Sequence, residues 1–190
     1  MNFLNPEDII KVTLILFSVI DILGAIPIIL QLKARAGNIQ SKKATIVAGV
    51  IMIVFLFLGD GILKLFGVDL QSFALAGAII LFLLGMEMIL GKTIFVPEAE
   101  DKSSSVMPLA FPIIAGAGTM TTIISLKSEY QDWDILVGIL VNLVFIYLVL
   151  RSINFIERKL GKGGVSILRK VFGIILLAIA IKLAKNQFHF

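Results

Sequence analysis

Apolar residues in this chain come in blocks of about twenty, the length a bilayer demands of a helix. Six such runs stand out: residues 9–32, 44–66, 68–90, 106–126, 135–156 and 167–184. None shows the period-two alternation of a membrane β-barrel. Each is therefore expected to satisfy its backbone internally, as a transmembrane helix. The last run is the weakest, because its unbroken apolar core, 171–181, is short and flanked by lysines placed to snorkel. The longest interruption, GKTIFVPEAEDKSSS, separates three runs from three. The expected organisation is a first three-span unit over residues 1–91, a polar cytoplasmic linker over 92–105, and a second three-span unit over 106–190. Together they make a single membrane domain.

An odd number of spans per unit requires any internal repeat to be inverted across the membrane. Short echoes fall in corresponding runs. Ile22-Leu23-Gly24-Ala25 in the first is matched by Ile114-Ala115-Gly116-Ala117 in the fourth. Gly77-Ala78-Ile79-Ile80-Leu81 in the third is matched by Gly173-Ile174-Ile175-Leu176-Leu177 in the sixth. Helix breakers follow the same plan: Gly24 and Pro27 in the first run, then Pro108, Pro112, Gly116 and Gly118 in the fourth. Proline removes a donor and clashes with the preceding turn, and glycine lowers the cost of unwinding. The pattern predicts an all-α membrane protein of six transmembrane helices, arranged as two inverted three-helix repeats with helices one and four broken or kinked. Paired breaks of this kind point to a transporter's binding site.

Composition agrees with a membrane address. Of 190 residues, 58% are hydrophobic and 16% charged, against roughly 45–50% and about 25% in soluble domains. The net charge of +4 does not signal nucleic acid. Most basic residues fall in the first, third and fifth connections: Lys33, Arg35, Lys42 and Lys43; Lys92 and Lys102; Arg151, Arg158, Lys159, Lys162, Arg169 and Lys170. Excess lysine and arginine mark the cytoplasmic side, so both termini are expected outside. Cysteine is absent and the one histidine is His189, so neither thiolate chemistry nor a metal centre is expected. No phosphate-binding loop occurs either, so any transport would be secondary rather than ATP-driven.

Asp21 is the costly residue. It lies about 12 residues past Ile9, hence roughly 18 Å into the first span. A charge at that depth costs at least ~2.5–3.5 kcal/mol. Four roles are open to it: meeting a substrate ammonium, taking up a coupling proton, helping to hold Na⁺, or accepting hydrogen bonds from a broken backbone. Asp60, late in the second run, is a candidate vestibule or coupling residue, with a plain interfacial position as the alternative. Glu87 is expected to snorkel, and Asn142 to hydrogen-bond between helices. Thr119, Thr121 and Thr122 offer hydroxyls beside the second break, or bond back to their own helix. An aspartyl protease would need Asp21 and Asp60 close enough to share a proton. Their different expected depths argue against that, so no enzyme activity is expected.

The stretch Asp21-Ile22-Leu23-Gly24-Ala25-Ile26-Pro27 resembles the DPxGxxP signature of the MarC, or neutral amino acid transporter, family. Pro108-Leu109-Ala110-Phe111-Pro112-Ile113-Ile114-Ala115-Gly116-Ala117-Gly118 resembles its second signature, PLAxPxxxGPG. Phe66-Gly67, the segment from Phe73 to Gly77 and RKVFGIILLAIA near the end are similar to further family segments. Ile22 and Ala117 stand where the signatures carry proline, which removes a breaker from each and implies gentler breaks. The resemblance implies a six-span inner-membrane carrier of small neutral amino acids such as glycine and alanine. The substrate-binding set expected at the two breaks is Asp21, Gly24, Ala25, Pro27, Pro112, Gly116, Ala117, Gly118 and Thr119. No cofactor is expected beyond a coupling H⁺ or Na⁺. A passive channel or a membrane scaffold without a transport cycle is the alternative.

Overall fold

The computed structural model of the chain describes residues 5–91 and 106–187. Its helices are α1 (Pro6–Ile20), α2 (Ile26–Ala36), α3 (Ser41–Leu65), α4 (Leu70–Leu90), α5 (Val106–Ile114), α6 (Ala117–Leu126), α7 (Asp132–Gly161) and α8 (Gly163–Lys185). No strand occurs among the described residues. The linker over 92–105, with Lys92 and Lys102, lies outside them.

Among the described residues, four helices are long and apolar enough to cross a membrane: α3, α4, α7 and α8. A fifth crossing is counted if α5 and α6, bent by 49° across their junction, act as one. The first apolar run differs from all of these. It forms two half-helices of 15 and 11 residues, α1 and α2, neither of which spans a bilayer alone. The sixth run, the weakest in sequence, forms the 23-residue α8.

Local chemistry accounts for the ends. Asn5 caps α1 by accepting from the Glu7 N–H, and Pro6 occupies the first turn, where its missing donor costs nothing. Asp69 caps α4. The Ser72 N–H and then the Ser72 hydroxyl, both donating to it, hold its carboxyl below the ordinary value. Gly161, at φ 64° and ψ 172°, ends α7 in a conformation that favours glycine and turns the chain into α8.

Packing depends on small residues that let helices approach closely. Gly49 of α3 faces Leu143 of α7, and Gly59 of α3 faces Ile124 of α6. A Cβ added to Gly85 of α4 would stand 3.0 Å from the Gly173 carbonyl oxygen of α8. Leu16, Ile29, Met52, Leu56, Ile114, Ile135, Ile139 and Ile146 fill the interior. Asn142 on α7 donates across to the Thr13 carbonyl of α1 at 3.1 Å and along its own helix to Gly138 at 2.9 Å. On the outside, Ile10, Leu14, Ile79, Val144, Ile167 and Ile174 are exposed, as lipid-facing residues must be.

Glu87 departs from the snorkelling expected of it. It is 3% exposed and accepts from Gln31 Nε2 of α2 at 3.0 Å. The short α2 is thus tied to α4 through Gln31, and to α7 through the Lys33–Glu157 ion pair.

Candidate functional site

Both expected breaks are present. At the first, Asp21 adopts the left-handed conformation (φ 42°, ψ 50°), a region that aspartate and asparagine tolerate better than other side chains. Its N–H still closes α1 on the Phe17 carbonyl at 3.1 Å. The side chain folds over the turn it ends, Oδ1 accepting the Gly24 N–H at 3.1 Å. A Cβ on Gly24 would run into that carboxylate. Pro27 then sits in the first turn of α2, pre-set for helix, although no side chain caps that end. The turn forms with Ile22 in place of the signature proline, buried at 2% exposure. The turn that follows Asp21 stays hydrogen-bonded, the Ala25 N–H reaching the Asp21 carbonyl at 3.0 Å.

The second break is built differently. α5 opens into wide, π-type turns, with Phe111 extended (φ −139°, ψ 129°) before Pro112, and the Ala115 N–H reaches five residues back to Ala110 at 2.9 Å. Ala115 and Gly116 then leave the helix, and α6 starts at Ala117 with no side-chain cap. A Cβ on Gly116 would collide with the Pro112 carbonyl oxygen, so this turn closes only around glycine.

The two breaks face one another across a cavity of about 350 Å³. The first contributes Ser18, Asp21, Gly24 and Ala25; the second contributes Pro112, Gly116, Gly118, Thr119, Thr121 and Thr122. Leu81 of α4 and Phe172, Leu176, Ile179 and Lys182 of α8 supply the remaining wall. That volume is at the small end of ligand pockets, which run about 300–1,000 Å³. The charged residues of the wall are Asp21 and Lys182. No ion pair joins them among the described residues.

Its hydroxyls are already committed as donors. Thr119 donates to the Ile114 carbonyl at 3.0 Å, and Thr121 and Thr122 to the Gly118 carbonyl at 3.0 and 2.7 Å. Ser18 donates to the Leu14 carbonyl at 2.9 Å. What these side chains can still offer is oxygen lone pairs, which suit a donor such as an ammonium. Donors for an anion come instead from the start of α6, where uncapped N–H groups and the positive helix end coincide.

Of the residues expected to bind substrate, Asp21, Gly24, Ala25, Pro112, Gly116, Gly118 and Thr119 line this cavity. Pro27 and Ala117 do not. Pro27 is buried within the start of α2. Ala117 is 4% exposed and packs on Gly77 of α4, where an added Cβ would meet its own. Asp60 is exposed on α3 and is not among the residues lining the cavity.

The profile described as MarC family integral membrane protein matches residues 7–188, across both breaks and every span. The chain belongs to the MarC family. Relatives include a UPF0056 membrane protein of Methanocaldococcus jannaschii, 32% identical over 90% of this chain and 91% of its own length. One from Pyrococcus abyssi is 31% identical over 90% of this chain and 89% of its own. The UPF0056 membrane protein YhcE of Escherichia coli K12 is 30% identical over 88% and 85%. No solved structure matches the chain. This MarC protein is an integral membrane protein, and the apolar exterior of its helices is the physical counterpart of that placement.

Sequence reasoning missed the α8 wall. Phe172, Leu176 and Ile179 follow helical spacing, which looks the same whether a face lines a cavity or meets lipid. Lys182 reads as a snorkelling residue near a helix end.

Proposed function

We propose that this MarC protein is a secondary transporter of small neutral amino acids of the glycine and alanine class, carrying them across the inner membrane by alternating access. The observation that carries this reading is the convergence of both breaks, with Asp21 between them, on one small cavity. In this reading α1 with α2, and α5 with α6, each count as one broken span. That gives six spans in two inverted halves, with both termini outside. A zwitterion must shed water from an ammonium and a carboxylate together. Asp21 and the lone pairs of Ser18, Thr119, Thr121 and Thr122 suit the ammonium, while the N-terminal end of α6 suits the carboxylate. Gly24, Gly116 and Gly118 bring main chain to the ligand and leave space for little more than hydrogen or methyl at its α-carbon. Transport follows from rocking one half against the other about these breaks.

The test is flux into liposomes holding the full chain, with labelled glycine, alanine and phenylalanine. Glycine and alanine are expected to enter well above empty vesicles, and phenylalanine at the empty-vesicle rate. Flux equal to empty vesicles for all three would leave a scaffold role in place of transport.

A further inference from the structure

We infer that Lys182 is the carboxylate-selecting residue of this site, so that the carrier distinguishes amino acids from simple amines. The inference rests on the transport reading above and adds to it the group that recognises the anionic end of the substrate. Lys182 lines the cavity together with Asp21, yet makes no hydrogen bond or ion pair among the described residues. Its side chain is exposed, three residues before the end of α8. Leu183, the next residue, approaches the first turn of α6, its Cδ1 standing 3.9 Å from where a Cβ on Gly118 would lie. Lys182 is therefore on the stretch of α8 that passes the uncapped N-terminus of α6, where the helix dipole is positive. A ligand carboxylate held in the cavity would draw on both Lys182 and the start of α6.

The rest of the wall assigns the other end of the ligand. The four hydroxyls have given their protons to main-chain carbonyls, so none of them donates to a carboxylate. Asp21 repels one. An amino acid consequently has one orientation open to it, ammonium toward Asp21 and carboxylate toward Lys182 and α6. A ligand with an ammonium and no carboxylate would leave the Lys182 end unsatisfied. One carboxylate and one ammonium in the lining also suit net-neutral solutes, since an extra charge on the ligand meets a like charge in the wall.

The experiment compares glycine with glycinamide, which keeps the ammonium and lacks the carboxylate, in liposomes carrying the wild-type chain, Lys182→Gln or Lys182→Arg. Wild type is expected to move glycine in strong preference to glycinamide. Lys182→Gln is expected to lose about tenfold or more in glycine kcat/KM, the scale of a lost charge-assisted hydrogen bond, while its glycinamide rate changes less than about twofold. Lys182→Arg restores the glycine preference. Unchanged glycine transport in Lys182→Gln would overturn the inference and make Lys182 a snorkelling side chain, with the transport reading intact. Equal loss of both solutes would overturn it in favour of a structural role. Should Lys182→Gln fail to insert, competition in wild type decides: glycinamide displacing labelled glycine as well as glycine itself would overturn the inference. A wild-type chain that moves neither solute removes the transport reading and this one together.

Discussion

Asp21→Asn is expected to cut glycine affinity and flux by about tenfold or more while leaving the fold unchanged, the loss corresponding to one charge-assisted contact of about 1.5–3 kcal/mol. Asparagine is the informative replacement because it separates the two functions of this residue. It tolerates the left-handed backbone at least as well as aspartate, and its Oδ1 keeps the acceptor that holds the Gly24 N–H. Only the negative charge is lost. A lower flux with an unaltered thermal midpoint in detergent therefore reports on what the charge meets in the cavity. Glycine binding and flux equal to wild type would assign Asp21 to shaping the turn alone. Gly24→Ala is the complementary change, since its Cβ displaces the carboxylate and disturbs charge and turn together.

Gly116→Ala should be more severe than its single methyl suggests. The backbone there (φ −75°, ψ 171°) is open to any residue, so the constraint is contact and not conformation. The added Cβ meets the Pro112 carbonyl oxygen, a main-chain atom that cannot rotate away as a side chain would. Something in the second break has to move, with an overpacking cost of about 1–3 kcal/mol. The expected outcome is a fall in glycine flux of at least tenfold per inserted molecule, accompanied by a lower thermal midpoint. Gly61→Ala is the control: nothing lies within 4 Å of the new methyl, and flux should stay within about twofold of wild type. Wild-type flux in Gly116→Ala would show that this turn is not part of the carrier's site.

Why some of this architecture was legible in the sequence, and some not, follows from which interactions are local. Membrane residence is written in long apolar runs, and the two breaks in Gly24, Pro27, Pro112 and Gly116, because backbone conformation there depends on neighbours within a few residues. How the first break closes was not legible. Ile22 removes a breaker, yet the left-handed Asp21 and its bond to Gly24 end α1 without it. Ala117 looked like a site residue because it adjoins Gly116, but its methyl group is used against Gly77, 40 positions earlier in the chain. Glu87 is kept inside by Gln31, 56 residues away, a contact that no periodicity announces. Lys182 carries the same lesson: its position in the cavity wall depends on how α8 docks, and local spacing does not contain that information.

The burial of Glu87 also gives the first broken span two differently anchored halves. α1 is held by Asn142 of α7, and α2 by Glu87 of α4 and Glu157 of α7, with the turn over residues 21–25 between them. Both halves of the span therefore hold to α7, and α2 holds to α4 as well, so motion of one half against the other has to work through these contacts.

The central claim is that the two broken spans meet around the substrate, and the absence of natural cysteine allows a direct test. Val19 and Gly118, one from each span, line the cavity within van der Waals range of each other, a Cβ on Gly118 standing 3.9 Å from Val19 Cγ1. Disulfides need Cβ atoms about 3.5–4.5 Å apart; Val19 Cβ lies beyond 4 Å from the Gly118 Cβ position, so a small approach of the two segments brings the pair within reach. In membranes containing Val19→Cys with Gly118→Cys, oxidation should link the two residues readily, and more slowly when glycine is present. A pair that stays reduced, or one whose linking rate ignores glycine, would contradict the account.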